Sequence, residues 1–200
     1  MVGRSIKELK CLDEKNIIIA GVKKIDVGAY YGTNIENVVI MDGVEEIEEY
    51  AFSQCPYLKS VVIPQSVKKI GEGAFCGCTS LKEITIPSYV TKIAFKTFED
   101  CVRLEMVKIG GSCRTIHEYA FANCTSLKSV KIQRHLRSIQ RYAFDNCTSL
   151  QEIQVPDSVI KIECTSFSKC KSLTIIGTPH SYAEEYCAMY KKSFIPIERT

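Results

Sequence analysis

The sequence predicts one repeat solenoid of the α/β class, rich in β-structure, in which successive coils stack their strands in register into a parallel sheet. Three observations lead to this fold. Four kinds of residue recur with a step of 23 positions, each unit contains a strand-like alternation of apolar and polar residues, and no unit is large enough to fold alone. A composition of 46% hydrophobic and 24% charged residues is that of a globular chain.

The repeat is visible as four ladders of residues that stay in phase over six copies, which chance does not produce. An incomplete copy of the repeat precedes the six clear copies, with Val22, Ile25, Ala29 and Tyr30 at matching positions. The ladders are Ile47, Ile70, Ile93, Ile116, Ile139 and Ile162; Phe52, Phe75, Phe98, Phe121, Phe144 and Phe167; Cys55, Cys78, Cys101, Cys124, Cys147 and Cys170; and Leu58, Leu81, Leu104, Leu127, Leu150 and Leu173.

All 200 residues are expected to form one domain. Residues 22–179 hold about seven repeats, residues 1–21 form an N-terminal cap, and residues 180–200 form a C-terminal cap. Ordering the backbone of all 23 residues of one unit, at ~1–2 kcal/mol per residue, costs more than burying its roughly seven apolar side chains gains, at ~1.5–3 kcal/mol for each large one. Stacking of coil on coil completes the burial, so the units must fold together.

Each repeat opens with a strand and continues with a second, shorter extended piece. The strand has the pattern L-x-x-V-x-I, as in Leu58, Val61 and Ile63, and a proline such as Pro64 ends it because proline cannot donate to a strand ladder. The second piece has the pattern V-x-x-I. The A-F-x-x-C segment that follows predicts one helical or 3₁₀ turn, and its small alanine indicates close packing.

The two ends of the chain are predicted to cap the solenoid. Residues Ile17 to Ile19 predict a strand in the N-terminal cap. Ser181 and Glu184 have the spacing of a capping box, which predicts that a helix begins there. The tyrosines at 182, 186 and 190 would lie on one face of that helix, and residues 194–197 predict a short final strand.

The repeat unit resembles the BspA-like leucine-rich repeats of the treponemal-type subclass, whose unit is similar to IPxSVxxIGxxAFxxCxSLxxI. The match is close at residues 63–67, 70–71, 74–75, 78–81 and 84. The resemblance implies a curved, right-handed leucine-rich-repeat superhelix with its parallel strands on the concave face. Its relatives are often bacterial or protist surface proteins that act in adhesion.

The eleven cysteines favour a reduced, buried ladder over a disulfide or metal framework. Free cysteine behaves as a small apolar residue, and an odd number leaves at least one thiol unpaired. Cys113 takes a core position, whereas Cys76 and Cys164 fall at positions that are polar in other repeats and are predicted to be exposed. The C-x-C pair at Cys76 and Cys78 lacks the spacing of a zinc site, so no metal and no cofactor is expected.

Several classes of function are disfavoured. A net charge of +3 is too balanced for a dedicated nucleic-acid binder, and the apolar runs are far shorter than the ~20 residues of a membrane span. The three histidines lie in unrelated repeat positions, so no catalytic triad is apparent. The charged N-terminal segment does not resemble a signal peptide. The resemblance to surface proteins suggests a location at the cell surface, whereas a chain without a signal peptide would be expected in the cytoplasm.

The strand alternation predicts a candidate binding surface on the concave face, because solenoids present such extended surfaces to partners. We expect a non-catalytic, adhesion-type binding module whose partner is a protein or an acidic glycan, with the neighbouring lysines at 108 and 131 facing an anionic patch. The outward residues are Ser60, Val62, Glu83, Thr85, Met106, Lys108, Ser129, Lys131, Glu152 and Gln154.

Two alternatives remain open at this stage. The charges are uneven along the chain: residues 41–54 hold five acidic residues and no base, whereas residues 58–140 hold thirteen Lys and Arg against six Asp and Glu. A structural element that assembles head to tail would use this polarity, although a monomer is the simpler expectation. An enzyme that uses the groove is the least favoured reading. Phe95 is expected to be an exposed apolar residue on the convex side.

Overall fold

Two ladders of strands run along the solenoid in the computed structural model, which describes residues 9–11 and 14–197. Each coil contributes a longer strand to one ladder, here called the long-strand face, and a two-residue strand to the other, the short-strand face. The long-strand face contains β2 (Asn16–Ile19), β4 (Asn37–Ile40), β6 (Ser60–Val62), β8 (Glu83–Thr85), β10 (Met106–Lys108), β12 (Ser129–Lys131), β14 (Glu152–Gln154) and β16 (Thr174–Gly177). The short-strand face contains β3 (Lys24–Ile25), β5 (Glu46–Ile47), β7 (Lys69–Ile70), β9 (Lys92–Ile93), β11 (Thr115–Ile116), β13 (Ser138–Ile139) and β15 (Lys161–Ile162).

The strands of neighbouring coils are parallel and in register, as the repeat predicts. Residues 23 positions apart face each other, for example Val107 and Val130 on the long-strand face and Ile116 and Ile139 on the short-strand face. The expected single sheet is, however, divided. The long-strand ladder loses its ladder hydrogen bonds between β6 and β8 and between β12 and β14, and the extended V-x-x-I piece forms a second ladder of its own.

A stack of aromatic rings runs through the core and sets the distance between coils. The rings from Tyr30 to Phe167 follow one another with centroids 5.1–5.5 Å apart and planes within 11° of parallel. All six phenylalanines of the stack are fully buried. Face-to-face rings at this spacing are accommodated because the identical backbone of each coil offsets each ring in the same way.

The cysteine ladder lies beside the aromatic stack and links the coils by hydrogen bonds. Each ladder thiol donates to the carbonyl of the aromatic residue one coil earlier, as Cys101 does to Phe75 over 3.2 Å. Five further bonds of this kind have S···O distances of 3.0–3.2 Å. The ladder cysteines are buried and unpaired, as predicted. Most of these carbonyls also accept an amide of their own coil, as Phe75 O accepts from Cys78 N over 3.2 Å, so the thiol adds a second hydrogen bond that joins the two coils.

The A-F-x-x-C segment is a pair of tight turns and not the helical or 3₁₀ turn that the sequence suggested. In one coil Cys76 N donates to Gly73 O within the turn, whereas the intervening amide of Phe75 donates to Thr97 O in the next coil. Gly73 and Gly77, four positions apart, have positive φ values of 58° and 73°. Left-handed residues at both positions prevent a continuous helix and direct every second amide toward the neighbouring coil.

The N-terminal end adds an antiparallel strand to the stack. The predicted strand at Ile17 to Ile19 is present as β2, and it pairs in parallel with β4, so it forms part of the solenoid. Strand β1 (Leu9–Cys11) pairs with β2 in the opposite direction. The rest of the predicted cap at residues 1–8 and 12–13 lies outside the described residues.

The C-terminal end is covered by the predicted helix and strand. Helix α1 (Tyr182–Tyr190) begins after Ser181, as expected, but the predicted capping box does not form. Glu184 accepts the amide of His180, one residue before the N-cap, and the Ser181 side chain makes no cap hydrogen bond. Tyr186 packs its edge against Phe167 and ends the aromatic stack. Strand β17 (Ser193–Pro196) then pairs in parallel with β16.

Truncating a ring in the middle of the aromatic stack should be costly. We expect Phe98→Ala to lower the free energy of unfolding by about 3–5 kcal/mol, the usual cost of removing a buried phenyl ring, because both neighbouring rings lose a stacking partner. Urea denaturation followed by circular dichroism measures the change. Tyr89→Ala is the control, since Tyr89 is 63% exposed, and it should cost less than about 0.5 kcal/mol. Equal losses in the two variants would contradict the role of the stack.

Candidate binding surface

Two rows of outward-facing side chains cover the long-strand face, and all ten residues of the predicted surface lie in them. In each three-residue strand the middle residue is buried and its two neighbours face outward. The first row contains Ser60, Glu83, Met106, Ser129 and Glu152. The second row contains Val62, Thr85, Lys108, Lys131 and Gln154.

Both rows are longer than the sequence predicted. The first row also includes Asn16, Asn37, Thr174 and Ser193, and the second includes Ile18, Val39, Ile176 and Ile195, as the strand register shows. Asn37 and Val39 stand 23 positions before Ser60 and Val62, so the spacing alone could have located them. Strand β16 lies within the predicted repeats, but it pairs with β14 at a step of 22 residues, so the 23-residue spacing misplaces its outward residues. Strands β2 and β17 lie outside the predicted repeats.

The N-terminal part of this face is polar in the first row and apolar in the second. Asn37 donates its side-chain amide to Asn16, and Ser60 donates its hydroxyl to Asn37, each over 2.7 Å. Beside them Val39 and Val62 face each other across neighbouring strands, and 56% of Val62 is exposed. The face therefore offers an apolar strip next to a hydrogen-bonded polar one.

The middle of the second row carries two aligned lysines. Lys108 and Lys131 are paired in the strand register, both are exposed, and neither forms an ion pair with any described residue. Met106 and Ser129 are half-buried beside them. An open depression of about 530 Å³ lies where the ladder hydrogen bonds are lost between β12 and β14. It is lined by Lys128, Ser129, Val130, Lys131, Ile132, Glu152, Gln154 and Ile176.

The acidic part of the chain is partly neutralised by neighbouring coils. Glu45 lies between Lys23 and Lys68, with both Nζ–Oε distances at 2.8 Å, and these lysines lower its pKa to about 2. Glu48 is bound in the same way by Lys69. Residues 119–144, in contrast, contain five Lys and Arg and no Asp or Glu. The excess of positive charge is therefore concentrated on the coil of β12 and the turns on either side of it.

Comparison with known proteins identifies the repeat. The family model described as BspA type leucine rich repeat region matches six copies, over residues 9–59 and 45–174. The chain belongs to this leucine-rich repeat family. The match confirms the resemblance that the repeat unit showed, and the parallel ladders of the structure agree with it.

Solved structures show the same fold. A leucine-rich repeat protein from Eubacterium ventriosum is 28% identical, with a TM-score of 0.74 over 78% of this chain. A leucine-rich repeat protein from Bacteroides ovatus is 22% identical, with a TM-score of 0.57 over 88% of this chain. The chain spans 43% of the first protein's length and 58% of the second's. None of the curated proteins matches the chain.

The one helix among the described residues, α1, is too short to cross a membrane.

Three potential metal ligands meet at the turns of two neighbouring coils, where the sequence motif predicted none. Donor atoms of Cys76, Glu99 and Asp100 lie within 4.8 Å of one another. Each carboxylate is already engaged, Glu99 by Lys96 at 3.0 Å and Asp100 by the amide of Asn123 at 2.8 Å. The 23-residue step from Cys76 to Glu99 was the signal that could have found this cluster.

The structure corrects two expectations about exposed side chains. Cys76 is half-buried, because the carboxylate of Glu99 on the next coil lies 3.9 Å from its sulfur. Phe95 is also half-buried, since its ring meets Tyr119 edge to face at 6.0 Å and Lys96 lies over it. Cys164 is exposed, as predicted.

Thiol labelling should separate the cysteines by burial. The experiment uses the variant Cys11→Ser, because the side chain of Cys11 lies outside the described residues. In this variant we expect Cys164 to react fast and Cys76 to react slowly. Burial and the carboxylates of Glu99 and Asp100 raise the pKa of Cys76 to about 11, so little of the reactive thiolate is present at neutral pH. Mass spectrometry of the labelled protein over time measures each rate.

The ladder thiols Cys78, Cys101, Cys124 and Cys147 should react only after unfolding, because burial raises the pKa of each of them. Cys164→Ser should remove the fast phase and leave the slow one. Fast labelling of any of these ladder thiols in the folded protein would show that the ladder opens in solution.

Proposed function

We propose that the protein is a non-catalytic binding module that holds its partner on the long-strand face, with Lys108 and Lys131 at the centre of the contact. The single observation behind this proposal is the aligned lysine pair: both side chains are exposed, neither has an acidic partner among the described residues, and neither has a packing role. Placing two like charges side by side does not stabilise a sheet, and an external anion would relieve the repulsion.

The partner on this face is an acidic protein surface or an acidic glycan. Charge complementarity across an interface speeds association and selects the partner. The second row carries Thr85 and Val62 on one side of the lysines and Gln154 and Ile176 on the other. A partner that follows this row therefore needs acidic groups in its centre and apolar or neutral groups at both ends.

A location at the cell surface is part of the same proposal. A solved structure from Faecalibacterium prausnitzii, described as a leucine rich cell surface protein, is 22% identical, with a TM-score of 0.51 over 93% of this chain and 60% of its own length. Repeat solenoids offer long, rigid surfaces to partners, which suits adhesion.

Reversing the two lysine charges should weaken binding without unfolding the protein. We expect the double variant Lys108→Glu and Lys131→Glu to keep its unfolding free energy within about 0.5 kcal/mol, as is usual for surface positions. Its affinity for an acidic partner should fall at least about tenfold, or ~1.4 kcal/mol, and the loss of affinity with added salt should become shallower. Biolayer interferometry against a panel of acidic proteins and uronic-acid glycans, over a series of salt concentrations, measures both quantities.

The matched control is Arg114→Glu with Arg137→Glu, which makes the same change of charge on the same two coils but next to the short-strand face. The control should keep its affinity for the partner found with the unmodified protein. If the two double variants lose affinity equally, net charge alone explains the binding, and the proposed contact is wrong.

A further inference from the structure

The residues immediately before the short strands form a row of side chains along the solenoid, and one carboxylate in this row is bound between two lysines. This row contains one residue from each coil, immediately before the short strand. Glu45 occupies it between Lys23 and Lys68, at 2.8 Å from each ammonium group. Side chains of this row on neighbouring coils therefore reach a common charge. The row reads Lys23, Glu45, Lys68, Thr91, Arg114, Arg137 and Ile160.

Farther along the same row, two cations are neighbours with no anion between them. Arg137 N donates to Arg114 O over 2.8 Å, so the two residues lie side by side on adjacent coils. Both side chains are exposed. No carboxylate of the described residues lies within ion-pair distance of either guanidinium group, and Glu163 is already bound by Lys161 at 2.7 Å. The next positions in the row, Thr91 and Ile160, are uncharged.

Further donors surround the pair on the short-strand face. Ser138 donates its hydroxyl to Thr115 over 3.3 Å, which leaves the hydrogen of the Thr115 hydroxyl available for another acceptor. Lys92 faces Thr115 in the strand register, is exposed, and forms no ion pair with a described residue. Lys92 and Thr115 thus follow Thr91 and Arg114 of this row by one residue, and they add a third cation and a hydroxyl donor next to the row.

We propose that Arg114 and Arg137 form a binding site for a tetrahedral oxyanion, the sulfate or phosphate group of a larger ligand. Each guanidinium group can donate two parallel hydrogen bonds to an oxyanion. Two such groups, Lys92 and a hydroxyl offer more donors than the two oxygens of a carboxylate can accept, whereas a sulfate or phosphate group presents three or four oxygens. This site goes beyond the proposed function, since it adjoins the short-strand face and does not involve Lys108 or Lys131.

Isothermal titration with two probes, inorganic triphosphate and a sulfated disaccharide, tests the site. We expect saturable 1:1 binding of at least one probe, and at least a tenfold loss of affinity in Arg137→Glu. That variant should stay folded, because Glu at 137 can pair with Arg114 as Glu45 pairs with Lys68. Arg114→Lys with Arg137→Lys keeps both charges but loses the paired donors, so it should bind more weakly than the unmodified protein and more tightly than Arg137→Glu.

Lys171→Glu is the matched control, a single charge reversal at an exposed lysine that belongs to neither proposed surface, and it should bind both probes normally. Binding of triphosphate alone would assign the site to phosphate, binding of the disaccharide alone to sulfate, and binding of both to the shared oxyanion chemistry. Binding of neither probe would overturn the proposal, and so would an equal loss in the control and in Arg137→Glu. The long-strand face can fail its own test without changing any of these outcomes.

Discussion

Stacking of one phenylalanine ring on the next fixes the distance between coils, and every other contact has to fit that spacing. The rings repeat at 5.1–5.5 Å, close to the ~4.8 Å that separates hydrogen-bonded strands. One coil geometry therefore satisfies the core and most steps of the two ladders at once. The thiols of the cysteine ladder work at the same spacing, since each spans from its own coil to a carbonyl of the coil before it.

The same constraint brings each surface side chain next to its counterparts on the coils above and below. A row of like charges would repel along its length, and several rows avoid this by alternating sign, as in Lys15, Glu36 and Lys59. Each of these exposed ion pairs contributes little to stability, so alternation mainly removes repulsion. Where neighbouring coils carry like charges in the same row, ion pairing within the fold does not account for those charges.

The sequence was sufficient for the fold because the core positions repeat almost without change. Identical Phe, Cys and Leu residues at a fixed step predict a stack, its register and its buried thiols. Contacts between unlike residues on neighbouring coils were harder to foresee. The environment of Cys76 depends on Glu99 and that of Phe95 on Tyr119, and each pairing needs the three-dimensional alignment of two coils that differ. The tight turns were missed because Tyr and Lys occupy left-handed positions that usually favour glycine.

The position of the candidate binding surface was also predictable from the repeat, whereas its ligand was not. Strand alternation places the outward residues correctly wherever the repeat is clear, but the chemistry of the surface depends on which neighbours lack an opposite charge. Lys108 and Lys131 form one such pair, and Arg114 and Arg137 form another on the same two coils. Because the core of these coils matches that of their neighbours, packing requires none of the four charges. We propose that an anionic ligand supplies the opposite charge that the neighbouring coils do not, which would give these two coils a role in recognition.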